Sequence, residues 1–332
     1  MDMINKGSLR VLLYILVVVV VLSVTVSCSM LFGTSKAKGE LKITSYAESV
    51  DEDTLGDDSN IKPVIHIEPA IGGKQLFVGD QTGLIHITDV PVGTYIVHPM
   101  HLPDTYDLLL DVSSGEVTTG KIIIPQTGLV YCVINTASTV EELTNSDVRM
   151  ALAQAVDRDA VLDSFSSDET PALNLVPALL YHDGLNGLAD VDVSSVEDPG
   201  LDSSFSFNLL YNETSENQSV SQVLEDQWEA LSFVSEVTRE SQDWNTYLNR
   251  LEDSSLHTAR AGWLLDSNNI LVYFQKLIDQ SHYEDAALTE LVNTAQSALD
   301  SDEVDEYTGT LVLIHDHLIE HMVVIPLYYY ER

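Results

Sequence analysis

Basic residues and cysteines are what this sequence has least of. Fifteen Lys and Arg stand against 52 Asp and Glu in 332 residues, a net charge of −37. A surface of that sign repels phosphate backbones, which argues against nucleic-acid partners. It also stays off anionic lipid unless it is tethered. Cations are drawn in by the long-range field, and the same charge serves equally as a solvation device in a salty medium. The two cysteines, Cys28 and Cys132, are too few for a disulfide framework, and no pairing between them is expected. No G-x-S-x-G, Walker loop, G-x-G-x-x-G or C-x-x-C occurs. Nucleophile-elbow, phosphate-cradling and dithiol chemistry therefore have no anchor in the sequence. No cofactor is expected, and the chain reads as a non-enzyme.

What is present begins with an export segment. Lys6 and Arg10 form a short basic region, and Val11 to Val26 is nearly all apolar. That run is shorter than the roughly 20 residues a spanning helix needs. Small Ser27 then precedes Cys28. This resembles a bacterial lipoprotein signal, in which the cysteine is acylated and becomes the new N-terminus. An uncleaved anchor and plain cleavage stay open beside it, and all three place the rest of the chain outside the cytoplasmic membrane. Residues 1–28 are read as this signal segment. Residues 29–60, rich in Ser, Gly, Thr and acid, are read as a flexible acidic tether, with one short strand, Leu41–Tyr46, that could belong to the next unit.

Residues 61–125 alternate in short runs separated by Gly72-Gly73, Gly79-Asp80, Pro91-Val92-Gly93 and Ser114-Gly115, which predicts a small antiparallel β-sandwich. The stretch Gly83–Tyr95, with Asp89-Val90-Pro91-Val92-Gly93-Thr94-Tyr95 between two strands, resembles the signature of carboxypeptidase-regulatory and transthyretin-like sandwiches. Such modules are spacers or interaction units. Its histidines, His66, His86, His98 and His101, lack metal-site spacing and are read as strand-face residues.

Residues 126–332 predict an α/β domain. Leu129–Asn135 is a continuous apolar strand. Asn145 or Ser146 then caps a helix on which Val148, Leu152, Ala155 and Val156 recur at helical spacing. The segment Thr258–Asn269 gathers Arg260, Trp263 and Asp266 in otherwise small or apolar surroundings. A rigid aromatic plate, a planar guanidinium fork and a carboxylate are binding chemistry, with no base and nucleophile pair beside them. The plainer reading is a buried strand end with Trp263 in the core and Asp266 capping a loop. His317 and His321 lie in H-x-x-E-H, one turn apart. They are weak metal candidates against a solvated helix end that compensates the dipole.

Several motifs in this half resemble, in order, those of family 5 extracellular solute-binding proteins, the oligopeptide, dipeptide and nickel receptors of ABC importers. They are the Asp147–Val161 helix, Leu175-Val176-Pro177, Phe207–Asn212, Val220–Leu231, Trp244–Leu251, Thr258–Asp266 and Val324–Tyr330. The resemblance implies that 126–332 is the C-terminal lobe of a periplasmic-binding-protein type II fold. It implies a ligand site in which Asp266 meets a peptide's amino terminus, Arg260 its carboxylate and Trp263 its body. Arg250 lies one residue off a further basic position of the family. The family's large first lobe has no counterpart, and the β-sandwich stands in its place. The expected function is an exported, lipid-anchored peptide- or solute-binding component working with an ABC importer permease. A surface or periplasmic interaction scaffold that no longer binds solute is the other reading.

Overall fold

In the computed structural model, residues 37–47, 62–124, 127–165, 169–180, 199–253, 255–264 and 268–331 are described. The N-terminal half of that chain is β1 (Lys38–Ala47), β2 (Val64–Ile71), β3 (Lys74–Val78), β4 (Leu84–Pro91), β5 (Gly93–Pro99), β6 (Leu108–Val112) and β7 (Val117–Ile124). One sheet runs β4-β1-β7 and the other β3-β2-β5-β6. Strand alternation drives the pairing of faces: in β4, Ile85 and Ile87 are buried while His86 and Thr88 are exposed. The turn from β4 to β5 is closed by Tyr95, whose hydroxyl donates to the Pro91 carbonyl at 2.8 Å. This bond gives the Pro91-to-Tyr95 signature its physical content.

The expected tether is corrected in part. Lys38–Ala47, inside 29–60, is the middle strand of the three-stranded sheet, parallel to β7 and antiparallel to β4. It runs beyond both ends of the short strand expected at Leu41–Tyr46. Leu41 and Ile43 point into the sandwich and are fully buried. Two inward apolar residues in an acidic, Ser-rich segment were too weak a signal to mark the whole strand. The signal segment, including Cys28, lies outside the described residues. Among the described residues, no helix is long and apolar enough to cross a membrane.

The second half comprises β8 (Thr127–Ile134), α1 (Ser146–Gln154), α2 (Arg158–Asp163), β9 (Thr170–Pro171), β10 (Phe205–Asn212), α3 (Ser215–Glu229), β11 (Val234–Gln242) and α4 (Trp244–Leu251), followed by β12 (Thr258–Leu264), α5 (Ile270–Ser281), α6 (Ala286–Asp300), α7 (Val304–His321) and β13 (Val324–Glu331). The sheet order is β11-β10-β12-β8-β13-β9. β8 is buried along its whole length because it is paired on both edges and covered on both faces. One face carries Val130, Cys132 and Phe207 against residues of α1, α2 and α3. The other carries Leu129, Tyr131 and Ala261 against residues of α4 to α7.

The sandwich is not a free spacer. Its core is continuous with this second face, and polar clamps fix the seam. Buried Asn268 accepts from Val64 N (3.2 Å) and donates to the carbonyls of Val64 (2.6 Å) and Met100 (2.9 Å). Asp302, between α6 and α7, accepts from the amides of Gln75 and Leu76 on the edge strand β3. Edge amides that would otherwise face solvent are thereby occupied.

Candidate functional site

The connection β10–α3–β11 moves to one side of β10. The connection β11–α4–β12 then crosses back to the other side, with α3 and α4 on opposite faces of the sheet. The strand order therefore reverses between β10 and β12. In open α/β sheets ligands bind outside the carboxyl ends of strands at such a point. β12 pairs with β10 only through Thr258 and Ala259, opposite Leu209 and Leu210. From Arg260 to Leu264, among the described residues, it pairs with β8 alone. Glu216 from the first turn of α3 and Tyr247 from α4 reach Arg260 where β12 leaves β10.

Arg260 lies opposite Cys132 and faces the α1–α3 side. Its Nη2 donates to the Tyr328 hydroxyl at 2.9 Å and to Glu216 Oε1 at 3.2 Å, and Tyr328 donates to the same Glu216 oxygen at 2.7 Å. Glu216 reaches it from the first turn of α3, which Thr214 caps through a bond from Asn217 N. The Arg260 side chain is 11% exposed and that of Glu216 is 47% exposed. A nearly dry guanidinium is thus neutralised by a carboxylate that is half in water. Burial pushes the Tyr328 phenol well above its ordinary range, so it stays a neutral donor. The Arg260 carbonyl accepts from the Tyr247 hydroxyl at 2.8 Å, and burial raises that phenol too.

Trp263 stands three residues from Arg260 on one strand, so the two side chains face opposite sides of the sheet. Trp263 lies opposite Leu129, is half-buried against the second core, and has Lys276 Nζ 3.4 Å from its ring centroid. Beside it, β8 comes close only because residue 128 is glycine: a Cβ there would sit 2.4 Å from the Trp263 carbonyl oxygen and 2.3 Å from the Tyr330 ring. Arg250 is not brought into this group. It pairs with Glu240 at 3.1 Å and lies 3.9 Å from Asp253, sharing no partner with Arg260. Asp266 lies outside the described residues.

The H-x-x-E-H pair does come together. The rings of His317 and His321 are 4.3 Å apart, Tyr283 flanks both, and His317 Nε2 lies 3.3 Å from Asp285 Oδ1. Among the described residues no group of three or more His, Cys, Asp or Glu could hold a metal ion. Burial, then the neighbouring His321, lowers the His317 pKa, while Asp285 and Glu320 oppose them. The His321 carbonyl accepts from Arg149 Nε at 2.8 Å, a helix-end role.

Sequence reasoning missed Glu216, Tyr247 and Tyr328, and also Trp244 and Leu248, which α4 leaves 58% and 42% exposed one turn apart. The only signal for Glu216 was its place in a capped first turn. Its 44-residue reach to Arg260 exists only once the sheet has formed.

No protein-family model matches the chain. Over 227 residues it is 24% identical to the oligopeptide-binding protein OppA of Bacillus subtilis, covering 62% of this chain and 41% of that protein. Over 204 residues it is 24% identical to the periplasmic oligopeptide-binding protein OppA of Salmonella typhimurium, covering 55% and 36%. The chain thus spans about two fifths of the length of the curated relatives it matches. Among solved structures, Haemophilus influenzae OppA in complex with RPPGFSPFR is 18% identical, with a TM-score of 0.51 over 61% of this chain and 42% of that one. The unliganded open form of the periplasmic murein tripeptide binding protein MppA is 16% identical, with 0.53 over 73% and 56%. A peptide-binding protein of a peptide ABC transporter is 17% identical, with 0.51 over 61% of this chain and 99% of that one. The fold is that of these binding proteins, a periplasmic-binding-protein type II lobe preceded here by a β-sandwich.

Proposed function

We propose that this chain is an exported peptide-binding component of an ABC-type peptide import system, and that the place where β12 leaves β10 is its ligand site. The observation that carries this reading is the edge of β12 from Gly262 to Leu264 at the switch point of the sheet, which among the described residues pairs with no strand on the side away from β8. Tyr247 reaches the Arg260 carbonyl from the side away from β8. Strand alternation then turns the backbone groups of Gly262 and Leu264 to that same open side. An extended peptide would add to this edge as a strand, with main-chain bonds giving affinity and flanking side chains giving preference. In this reading Arg260 takes the ligand carboxylate, Asp266 its ammonium, and Trp263, on the other face, packs beside the bound chain. Arg250, held by Glu240, would act only through rearrangement.

The curated relatives and the solved structures carry names of binding proteins, which supports a non-enzymatic role. Cys28 would anchor the chain by lipid to the cell envelope, and an importer permease would be its partner. The sandwich would be of the carboxypeptidase-regulatory or transthyretin-like kind. The scaffold reading draws on one specific observation, that Glu216 already occupies Arg260.

The test is calorimetric titration of the chain with short peptides, beside the same peptides N-methylated at alternate backbone nitrogens. Saturable binding that is lost on N-methylation and in Asp266→Ala is expected. Binding that survives N-methylation undiminished, or no saturable binding of any peptide, would sink the strand-addition site.

A further inference from the structure

We propose that the cavity at the seam between the sandwich and α7 is a second binding site, and that it takes a small organic amine with an apolar body. The cavity measures about 630 Å³. It lies between β2 and β5 on one side and the first turns of α7 on the other. A volume of a few hundred Å³ or more at a domain interface, lined by apolar surface and a few converging polar groups, is the ordinary form of a ligand site. This one does not come from loose docking, because the Asn268 and Asp302 clamps hold the two halves together beside it.

Three features define what would fit. The first is charge. Asp104, Asp107 and Asp305 line the cavity, and no Lys or Arg is among its lining residues. The α7 N-terminus favours an anion, but Asp305 and Glu306 in its first turn offset that field. A cation is therefore the favoured guest. The second is the imidazole pair. His66 and His98 lie opposite one another on β2 and β5 with stacked rings 5.8 Å apart, and His98 Nδ1 is 2.8 Å from Asp107 Oδ2. Asp107 is so held at the wall by His98. These groups do not form a three-ligand metal cluster, which favours an organic cation over a metal ion. The third is shape. Met100, Leu102 and Val304 give the cavity an apolar portion. Gly309 sits inside α7, where glycine costs about 1 kcal/mol relative to alanine, yet nothing lies within 4 Å of where its Cβ would be. Gly309 is exposed on α7, and its lack of a side chain leaves that rim of the cavity open.

The test is titration of the chain with phenethylamine, with 2-phenylethanol as its neutral counterpart. Gly309→Leu and Asp107→Asn are run beside the unaltered protein, with melting temperatures for each. Saturable one-to-one binding of the amine is expected, with the alcohol at least tenfold weaker. Gly309→Leu should keep or raise the melting temperature and weaken the amine at least tenfold, because it fills the space without changing charge. Asp107→Asn should also weaken it. Equal amine affinity in Gly309→Leu would mean diffuse attraction to an acidic surface and would overturn the site. So would the absence of saturable amine binding. Saturable zinc binding lost in His98→Ala, without any amine binding, would replace the proposal by a metal site.

Discussion

Arg158 and Arg260 are both buried in the six-stranded lobe, and they differ in what holds them. Arg158 Nε donates to the carbonyls of Ala172 and Pro326 at 2.8 Å each, and Nη1 to that of Val156 at 3.1 Å. Arg149 likewise binds the carbonyls of His321, Leu143 and Thr144. Among the described residues neither makes an ion pair, and burial pulls the Arg158 pKa down to about 10. These arginines bind fixed backbone oxygens that no solute can replace. Arg260 is paired with one half-exposed side chain that can swing into water. The same residue type thus staples the fold in one place and presents an exchangeable partner in the other. The sharpest way to break this comparison is urea unfolding of Arg158→Met and Arg260→Met. Arg158→Met strands three dry carbonyls and should cost on the order of 3 kcal/mol or more. Arg260→Met should cost less than half of that, since Glu216 regains water. Equal losses would mean that Arg260 is a staple too.

The seam gives the next largest effect. Asn268→Ala removes the side chain that serves the Val64 amide and the Met100 carbonyl, while the Val64 carbonyl keeps its bond from the Met100 amide at 3.0 Å. A loss of about 2 kcal/mol or more is expected. If sandwich and lobe form one cooperative body, a single unfolding transition should move as a whole in calorimetry. A transition that splits, with only the sandwich destabilised, would show that the shared core is not cooperative.

How much of this was legible depends on how local each signal was. β8 reads as a buried strand because eight consecutive buried positions need neither a partner's register nor a turn to be recognised. Asn145 reads as a helix start because a cap acts within three residues, and it accepts from the Asp147 amide. The break at Ala155–Asp157 and the second start capped by Asp157, inside what reads as one helix over Asp147–Val161, were missed. β1 was read only in part, because most of its pairing energy lies in β4 and β7, dozens of residues away. Arg260, Trp263 and Asp266 looked like one cluster along the sequence. Strand parity alone separates the first two onto opposite faces, and that parity was available from the sequence once a strand was assumed. The Glu216–Arg260–Tyr328 group was out of reach, since it joins three elements through the sheet order. The docked seam was missed for the same reason: Asn268 and Asp302 look like ordinary loop residues until the edge amides they serve are beside them.

A smaller effect separates the two faces by pH. His315 is fully buried on the second face, its ring near Phe274, and burial lowers its pKa from the ordinary 6.5, with the Asp316 contact opposing. His257 and His317 are lowered as well, chiefly by burial. Below about pH 6.5 the unfolded chain binds protons that the folded chain refuses. The stability from these groups is therefore complete above that value and lost as pH falls below it, by up to about 1.4 kcal/mol per pH unit for buried His315 and by less for the more solvated His257 and His317. His315→Leu should flatten the stability profile between pH 6.5 and 5 by as much as one such slope. An unchanged slope would mean that His315 protonates in place.

The smallest effect tests Trp263, which is half-buried against the second core and faces away from Arg260. Lys276 Nζ, 3.4 Å from the ring centroid, gives a cation–π contact worth about 0.5–1 kcal/mol at a partly exposed position. Lys276→Met keeps the apolar stem and removes only the charge. If Trp263 is mainly a packing residue, this change should lower stability by that amount and leave peptide affinity as it was. If the indole face is a ligand plate, freeing it from the ammonium should strengthen binding of peptides with a cationic side chain, while the stability loss stays the same. Measuring both on one variant separates the two roles, because the packing role predicts no change in binding.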